Sequence, residues 1–261
     1  MTNTLFVLRS DAGGVTTLTL NRPAARNALS LDMLLALSSE IDRAATDPSV
    51  RVVVLSGAGP AFCAGHDLKE IRAANFGGAY AAKLFSECAK VMLALVLMPK
   101  PVIAQVHGVA TAAGCQLVAS CDLAVAADDA RFATPGVNIG LFCSTPMVAL
   151  SRNVSRKAAM RMLLTGELID ADSALRFGLI SEVAPAAELE TRTAALAAKI
   201  AAKSPLVLAI GKQAFYRQAE LPLAEAYRYT AEVMVANLAK LDAQEGIDAF
   251  IEKRTPQWSG Q

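Results

Sequence analysis

The sequence predicts an α/β fold in which parallel strands are joined by helical crossovers and followed by a helical C-terminal region. Three observations carry this prediction. Strand-like and helix-like runs alternate through the first half of the chain. The run Arg51–Ser56 contains consecutive valines, the pattern of a strand buried on both faces. From Ser155 onward the apolar spacing is mostly helical.

The elements follow in order. Leu5–Leu8 and Val15–Leu20 are short β-rich runs, and Asp11-Ala12-Gly13-Gly14 between them is a hairpin signal. Asn21-Arg22-Pro23 ends the second run. Ser30 is placed to cap a helix starting near Leu31, in which Met33, Leu34, Leu37 and Ile41 recur at helical spacing. Asp47-Pro48 stops that helix, and Gly57–Gly65 is a turn-rich loop after the Arg51–Ser56 strand. A helix is expected around Ala79–Leu97, ended by Pro99 and Pro101. Val102–Val106 is a further β-branched run. Gly108–Gly114 reads as a small-residue turn into a short helix, Cys115–Ser120. Leu123–Ala126 and Arg131–Ala133 read as strands. Late helices are expected at Arg156–Leu164, Ala171–Phe177, Ala186–Lys203, Leu206–Arg217, Leu223–Leu238 and Asp242–Lys253. The Gln257–Gln261 tail is expected to be loose.

Composition bounds the function. The chain has 261 residues, of which 54% are apolar and 19% charged, with a net charge of +1. It is too apolar for a disordered protein and too evenly charged for a dedicated nucleic-acid binder. Mean hydropathy is +0.37, yet no run reaches the ~18 uncharged apolar residues of a spanning helix. Val91–Met98, the longest candidate, lies between Lys90 and Lys100. No membrane association is therefore expected. The start, MTNTLFVLRSDAGG, lacks the features of a signal or transit peptide, and cytoplasmic residence is the expectation. Five cysteines with no CxxC argue against a disulfide framework or zinc ribbon, and two histidines argue against a metal site.

Two loops carry the chemical signal. Ser56–Leu68 contains Gly57-Ala58-Gly59, but Phe62 stands at the third glycine position of a dinucleotide fingerprint, and Pro60 removes an amide. His107–Leu117 ends a strand and opens a helix. Its small residues serve either close approach of backbone N–H groups to a ligand or tight helix–strand packing. Both loops follow parallel strands, where α/β folds bind ligands. Two converging N–H groups there would form an oxyanion hole that polarises a carbonyl.

Taken together, the segments resemble the crotonase superfamily, the enoyl-CoA hydratase/isomerase family. The matching residues are Asn21-Arg22-Pro23 with Asn27-Ala28-Leu29, then Ala61 through Glu70. They continue with Pro99–Ala104, Gly114-Cys115-Gln116-Leu117, Cys121-Asp122 and Phe132-Ala133. Leu164-Thr165-Gly166, Ala174–Ile180 and Glu245–Arg254 complete the ordered set. Phe132–Thr145 resembles the enoyl-CoA hydratase domain-containing branch in particular. The resemblance implies a ClpP/crotonase-like spiral of ββα units over residues 1–200 and a helical trimerisation region over 201–261. It implies homotrimers or hexamers, and a coenzyme A thioester as substrate with no other cofactor. By position, the oxyanion-hole amides are those of His66 and Ala113. Ala25, Arg26, Ala64, Asp67 and Leu68 match positions along the nucleotide part of coenzyme A. Phe250 and Lys253 match positions through which a neighbouring subunit reaches that nucleotide; for Lys253 a solvated helix face is the competing reading.

The match departs where chemistry is concentrated. Hydratases of the family hold the added water with two glutamates, and this chain has Gln116 and Gly136 at those positions. Glutamine cannot take a proton from water, and glycine offers nothing. The dehalogenase-like branch places an aspartate nucleophile where this chain has Ser144. Cys143 or Ser144 would act as a nucleophile only beside a base. His66 is either that base or a loop residue used for its amide alone. His107 is expected to make a structural hydrogen bond, Asp122 to brace a turn, and Cys63, Cys115 and Cys121 to act as small buried hydrophobes. Glu70 and Glu87 are placed to approach the site from the segment after the first loop. The expected function is enolate stabilisation on an acyl-CoA. Thioester hydrolysis, decarboxylation and binding without catalysis are the alternatives. The last predicts that restoring glutamates at positions 116 and 136 restores some hydration.

Overall fold

A computed structural model of the chain describes residues 5–261. Met1–Thr4, the start of the segment read for a leader, lie outside the described residues. The strands are β1 (Val7–Ala12), β2 (Val15–Leu20), β3 (Val52–Gly57), β4 (Val102–Val106), β5 (Val109–Thr111), β6 (Leu123–Ala127), β7 (Arg131–Ala133), β8 (Ile169–Asp170) and β9 (Glu182–Ala184). The main sheet has the order β1-β2-β3-β4-β6-β9, antiparallel at β1–β2 and parallel from β2 onward. A second sheet, β5-β7-β8, pairs β5 with β7 in parallel and β7 with β8 antiparallel.

The first hairpin extends further than the apolar run suggests. Ala12 pairs directly with Val15, so only Gly13 and Gly14 remain in the turn, both at positive φ (58° and 81°). A two-residue hairpin whose twist matches its strands needs that geometry, and glycine adopts it without steric penalty. The parallel strands bury both faces, and Val52, Val53, Leu55, Val102, Ile103 and Ala104 are fully enclosed.

The helices are α1 (Leu31–Thr46), α2 (Leu68–Ala73), α3 (Gly78–Leu97), α4 (Ala113–Ser120), α5 (Pro146–Asn153), α6 (Arg156–Thr165), α7 (Ala171–Phe177), α8 (Leu189–Ala201), α9 (Pro205–Gln218), α10 (Leu223–Leu238) and α11 (Leu241–Glu252). Ser30 caps α1, its Oγ accepting the Met33 N–H at 3.1 Å. Such a cap is worth about 1 kcal/mol. The hydropathy pattern did not anticipate α2 or α5. Both are short and mostly exposed, so they lack the apolar stripe that reveals a longer helix. The single helix expected at Ala186–Lys203 is a 3₁₀ turn, Ala186–Glu188, followed by α8. Among the described residues no single helix is long and apolar enough to cross a membrane.

Helix α8 packs on β2, β3, β4 and β6, and α9 departs from it at 101°. One buried ion pair ties α9 to the sheet. Lys212 donates to Asp122 Oδ2 (2.7 Å), Leu95 O (2.8 Å) and Lys100 O (2.9 Å), which satisfies all three ammonium protons. Asp122 also accepts from the Val102 N–H and from Tyr216 Oη. It braces its turn as expected, and it holds α9 as well.

The tail is not loose. Asp242 is 1% exposed, and its carboxylate accepts from Ser204 Oγ, both Ser259 groups and the Gly260 N–H. Trp258 Nε1 donates to Ala202 O at 2.9 Å. A buried carboxylate needs donors, and the tail supplies most of them. The sequence gives no local sign of this, because Asp242 and Ser259 meet only in the folded chain.

Candidate functional site

The site forms where the loops after β3 and β4 are stitched together. Asn27, fully buried, anchors the first loop by donating to Ala58 O and Ala61 O and accepting the Arg22 N–H. Further along, Cys63 donates its N–H to Val109 O, and the Thr111 N–H donates to Cys63 O. This pairing shows that Gly108–Gly114 is more than a turn: Val109–Thr111 forms strand β5. Helix α4 then starts two residues earlier than expected, directly against the first loop. A Cβ on Gly114 would lie 2.1 Å from the Cys63 carbonyl oxygen, so only glycine fits.

That contact places His66 and Ala113 together. The Leu29 N–H donates to Gly65 O, and the Asp67 N–H to Leu29 O. In this parallel bridge the His66 N–H faces the opposite edge. Ala112 precedes α4 at φ 50°, ψ −116°, a conformation L-residues rarely adopt. It stores on the order of 1–3 kcal/mol and is held by its N–H bond to Ala133 O at 2.9 Å. The turn leaves the Ala113 N–H at the first position of α4, where no intrahelical partner exists. A Cβ on Gly65 would lie 3.5 Å from the Ala113 nitrogen, so the segments bearing the two amides are in contact.

Three residues on the segments that flank this turn carry a buried polar atom with no hydrogen-bond partner: His66 Nε2, Gln116 Oε1 and Thr134 Oγ1. Buried polar groups are nearly always paired, so these unpaired atoms are ones that another molecule could satisfy. Gln116 sits one turn into α4 and is 5% exposed; Thr134 follows Ala133 and is 0% exposed. The His66 ring meets Phe85 edge-on, with centroids 5.1 Å apart. Burial pushes its pKa down to about 4, so the ring is neutral at physiological pH.

Other predicted residues fall as follows. Gly136 is buried, and its N–H donates to Cys143 Sγ at 3.3 Å. Burial holds the Cys143 thiol above its ordinary pKa. Ser144 is exposed, and its Oγ reaches only Phe142 O. Neither group has a base within hydrogen-bond reach among the described residues. Glu70 accepts from Tyr80 Oη and the Leu31 N–H, and Glu87 pairs with Lys90. Both are engaged in structural contacts. His107 Nε2 lies 2.8 Å from Gly59 O, the structural hydrogen bond expected of it. All five cysteines are buried and unbridged.

Ala25, Arg26, Ala64, Asp67 and Leu68 lie along one edge, joined by the bond from the Ala64 N–H to Arg26 O. The Asp67 carboxylate is committed elsewhere: it pairs with Arg22 at 2.9 Å and caps α2 through the Lys69 and Glu70 N–H groups. Only its backbone remains for a ligand. Phe250 is 85% exposed on α11, and Lys253 caps that helix at φ 57°. Sequence reasoning missed Thr134 and the strained Ala112. The one available signal was a polar residue between the strand Arg131–Ala133 and Pro135.

Comparison with known proteins agrees with this geometry. The family described as enoyl-CoA hydratase/isomerase matches residues 10–261. The chain is 53% identical over 255 residues to the enoyl-CoA hydratase domain-containing protein 3, mitochondrial, of Xenopus laevis, covering 98% of this chain and 86% of that one. An enoyl-CoA hydratase structure from Mycobacterium smegmatis superposes with a TM-score of 0.94 at 54% identity, covering 97% and 98% of the two chains. The structure of human enoyl-CoA hydratase domain-containing protein 3 does so at 0.94 and 50% identity, covering 97% and 100%. Relatives from Xenopus laevis, mouse, rat, human and zebrafish are named as mitochondrial, which overturns the expectation of cytoplasmic residence. The fold, the two stitched loops and the near full-length match agree: the chain belongs to the enoyl-CoA hydratase/isomerase family, in its enoyl-CoA hydratase domain-containing branch.

Proposed function

We propose that this protein binds an acyl-CoA and stabilises the enolate of its thioester between the amides of His66 and Ala113. The carrying observation is the contact of the segments bearing these two amides, where a Cβ on Gly65 would lie 3.5 Å from the Ala113 nitrogen. An enolate concentrates negative charge on the thioester oxygen. Fixed N–H donors stabilise that charge with no reorganisation, and one such donor is worth about 3 kcal/mol in acyl-transfer enzymes. Gln116 and Gly136 supply no carboxylate to move a proton. Each missing acid–base group lowers the rate by roughly 10²–10⁴-fold. Calorimetric titration with butyryl-CoA and crotonyl-CoA tests the reading, together with loss of enoyl absorbance. Binding with hydration far below that of a two-glutamate relative is expected. Failure to bind any acyl-CoA overturns it.

A second reading has specific support. The neutral His66 ring, Gln116 and Gly136 suit a reaction that forms the enolate without a base. In decarboxylation of a malonyl thioester, the Cα–carboxylate bond breaks, its electron pair passes to the thioester oxygen, and CO₂ leaves. Release of CO₂ from malonyl-CoA, with none from the heat-denatured protein, supports this reading; no release rejects it. Nucleophilic thioester hydrolysis has less support, because Ser144 is exposed without a base and Cys143 stays protonated.

The assembly is proposed to be a homotrimer or a pair of trimers. Tyr227, Val235, Phe250 and Ile251 are each 70% exposed or more on α10 and α11, an apolar surface a monomer rarely presents. A second copy seated there would also carry Phe250 and Lys253 toward a neighbour's nucleotide edge. Light scattering should return three or six times the 27.3 kDa chain mass.

A further inference from the structure

Two planar peptides aim the amides of the site. A trans peptide holds its C=O and N–H in opposite directions, so fixing one fixes the other. The Gly65 carbonyl accepts the Leu29 N–H at 2.8 Å, and the His66 N–H of the same peptide therefore points away from Leu29. The Ala112 carbonyl accepts the Gln116 N–H at 3.0 Å, and the Ala113 N–H therefore points away from the body of α4. The torsion that sets this second direction is the ψ of Ala112.

Alanine is an unexpected residue for that backbone. The angles of Ala112, φ 50° and ψ −116°, are those of the first central position of a type II′ turn, where glycine dominates. Glycine would relieve the strain, yet the chain keeps a methyl group there. That methyl bears on the other loop: a Cβ built on Gly65 would come within 2.9 Å of Ala112 Cβ. The one side-chain atom of Ala112 therefore lies between the two peptides that carry the amides. We infer that Ala112 is a positioning residue of the acyl-thioester site, its methyl bearing on Gly65 to hold the His66 and Ala113 amides at the spacing a single thioester oxygen needs. The inference rests on the acyl-CoA reading above. It adds to that reading a residue whose strained backbone serves ligand binding at the expense of stability.

The variant Ala112→Gly separates the two roles. Loss of the methyl relieves the backbone and also adds freedom to the unfolded chain, so the urea midpoint should hold or rise. A residue kept only for packing would lower it. Calorimetry with butyryl-CoA should show the variant binding about tenfold more weakly, the worth of one hydrogen bond. Difference infrared spectra with an isotope-labelled thioester carbonyl supply a readout that a structural role does not move. Two fixed donors draw charge onto the oxygen, so the carbonyl stretch of butyryl-CoA should fall on binding the unmodified protein and fall less on binding Ala112→Gly. A stretch that is the same in both complexes overturns the inference, and so does a lower urea midpoint. In either case butyryl-CoA still binds and the acyl-CoA reading stands, whereas binding to neither protein sinks both.

Discussion

Cys143 Sγ accepts the Gly136 N–H at 3.3 Å and occupies the space where a side chain at position 136 would begin. A Cβ on Gly136 would lie 2.9 Å from that sulfur and 2.8 Å from the Leu141 carbonyl oxygen. Backbone cannot swing aside as a flexible side chain can. Gly136→Ala is therefore expected to lower stability by about 1–3 kcal/mol in urea denaturation. The double variant Gln116→Glu, Gly136→Glu is expected to gain no hydration of crotonyl-CoA. The residues around position 136 have closed over the place of the second carboxylate, so restoring the residue type alone does not restore the site. Hydration by the double variant would show that the Leu141–Cys143 segment yields.

His66 is expected to stay neutral down to about pH 4, because burial opposes its charged form. The sign is that of a histidine with a depressed folded pKa. Between its ordinary value of 6.5 and about 4, the unfolded chain takes up a proton that the native ring refuses. The stability held by the neutral ring is complete above 6.5 and declines as pH falls through that window. Imidazole resonances of labelled protein, assigned with His66→Leu, should show no His66 titration above pH 5. A His66 midpoint near 6.5 would show the ring to be solvated.

Glu245 should act as an acid-sensitive clasp on the tail. Arg254 donates to both of its carboxylate oxygens (2.6 and 2.8 Å) and Gln257 donates its N–H, which holds the carboxyl at about 2. The clasp is complete above the ordinary value of 4.5 and is lost as pH falls toward 2. Trp258 is the single tryptophan, and its ring lies against the Gly246 position. Its fluorescence should shift to the red across that window, and in Glu245→Gln it should be partly shifted already at pH 7. A spectrum unmoved in both cases would mean that Trp258 is held by its Ala202 bond alone.

Lys212→Met should be among the most destabilising single changes outside the site. The Lys212 and Asp122 side chains are 6% and 17% exposed. Removing one member of a buried pair leaves the other charge uncompensated, at about 3–5 kcal/mol. The combined variant Lys212→Met, Asp122→Asn should be less damaging than the sum of its parts, because neither charge then remains. A double-mutant cycle in urea measures this, and strict additivity would show that the two groups are not coupled.

Much of the fold was legible in local pattern. The strand Arg131–Ala133 and the helices Ala171–Phe177 and Leu223–Leu238 have the bounds the sequence predicted. Ser30 caps α1 because a side-chain oxygen beside a helix start satisfies an orphan N–H regardless of distant context. The elements that escaped, α2, α5, β5, β8 and β9, are short. Strand β5 has three residues and exists only because Cys63 pairs across to Val109 and Thr111. The site divides in the same way. Gln116 and Gly136 were visible as departures from the family pattern. Thr134 was not, because its importance lies in being buried without a partner, and partners are a property of three dimensions.

The sequence by itself determined the order of the longer elements, the family and the loss of both glutamates, since these rest on residue type and spacing along the chain. Tertiary structure alone decided that position 136 has no room for a side chain, that Asp67 is spent on Arg22 and α2, and that the tail is tied to Asp242. It also decided that the Gly65 and Ala113 segments meet. Each of these is a contact between segments tens of residues apart, or, at Gly136, a loop folded back on itself. Its sign depends on which atoms are brought within about 3 Å, and no local preference of the chain encodes that.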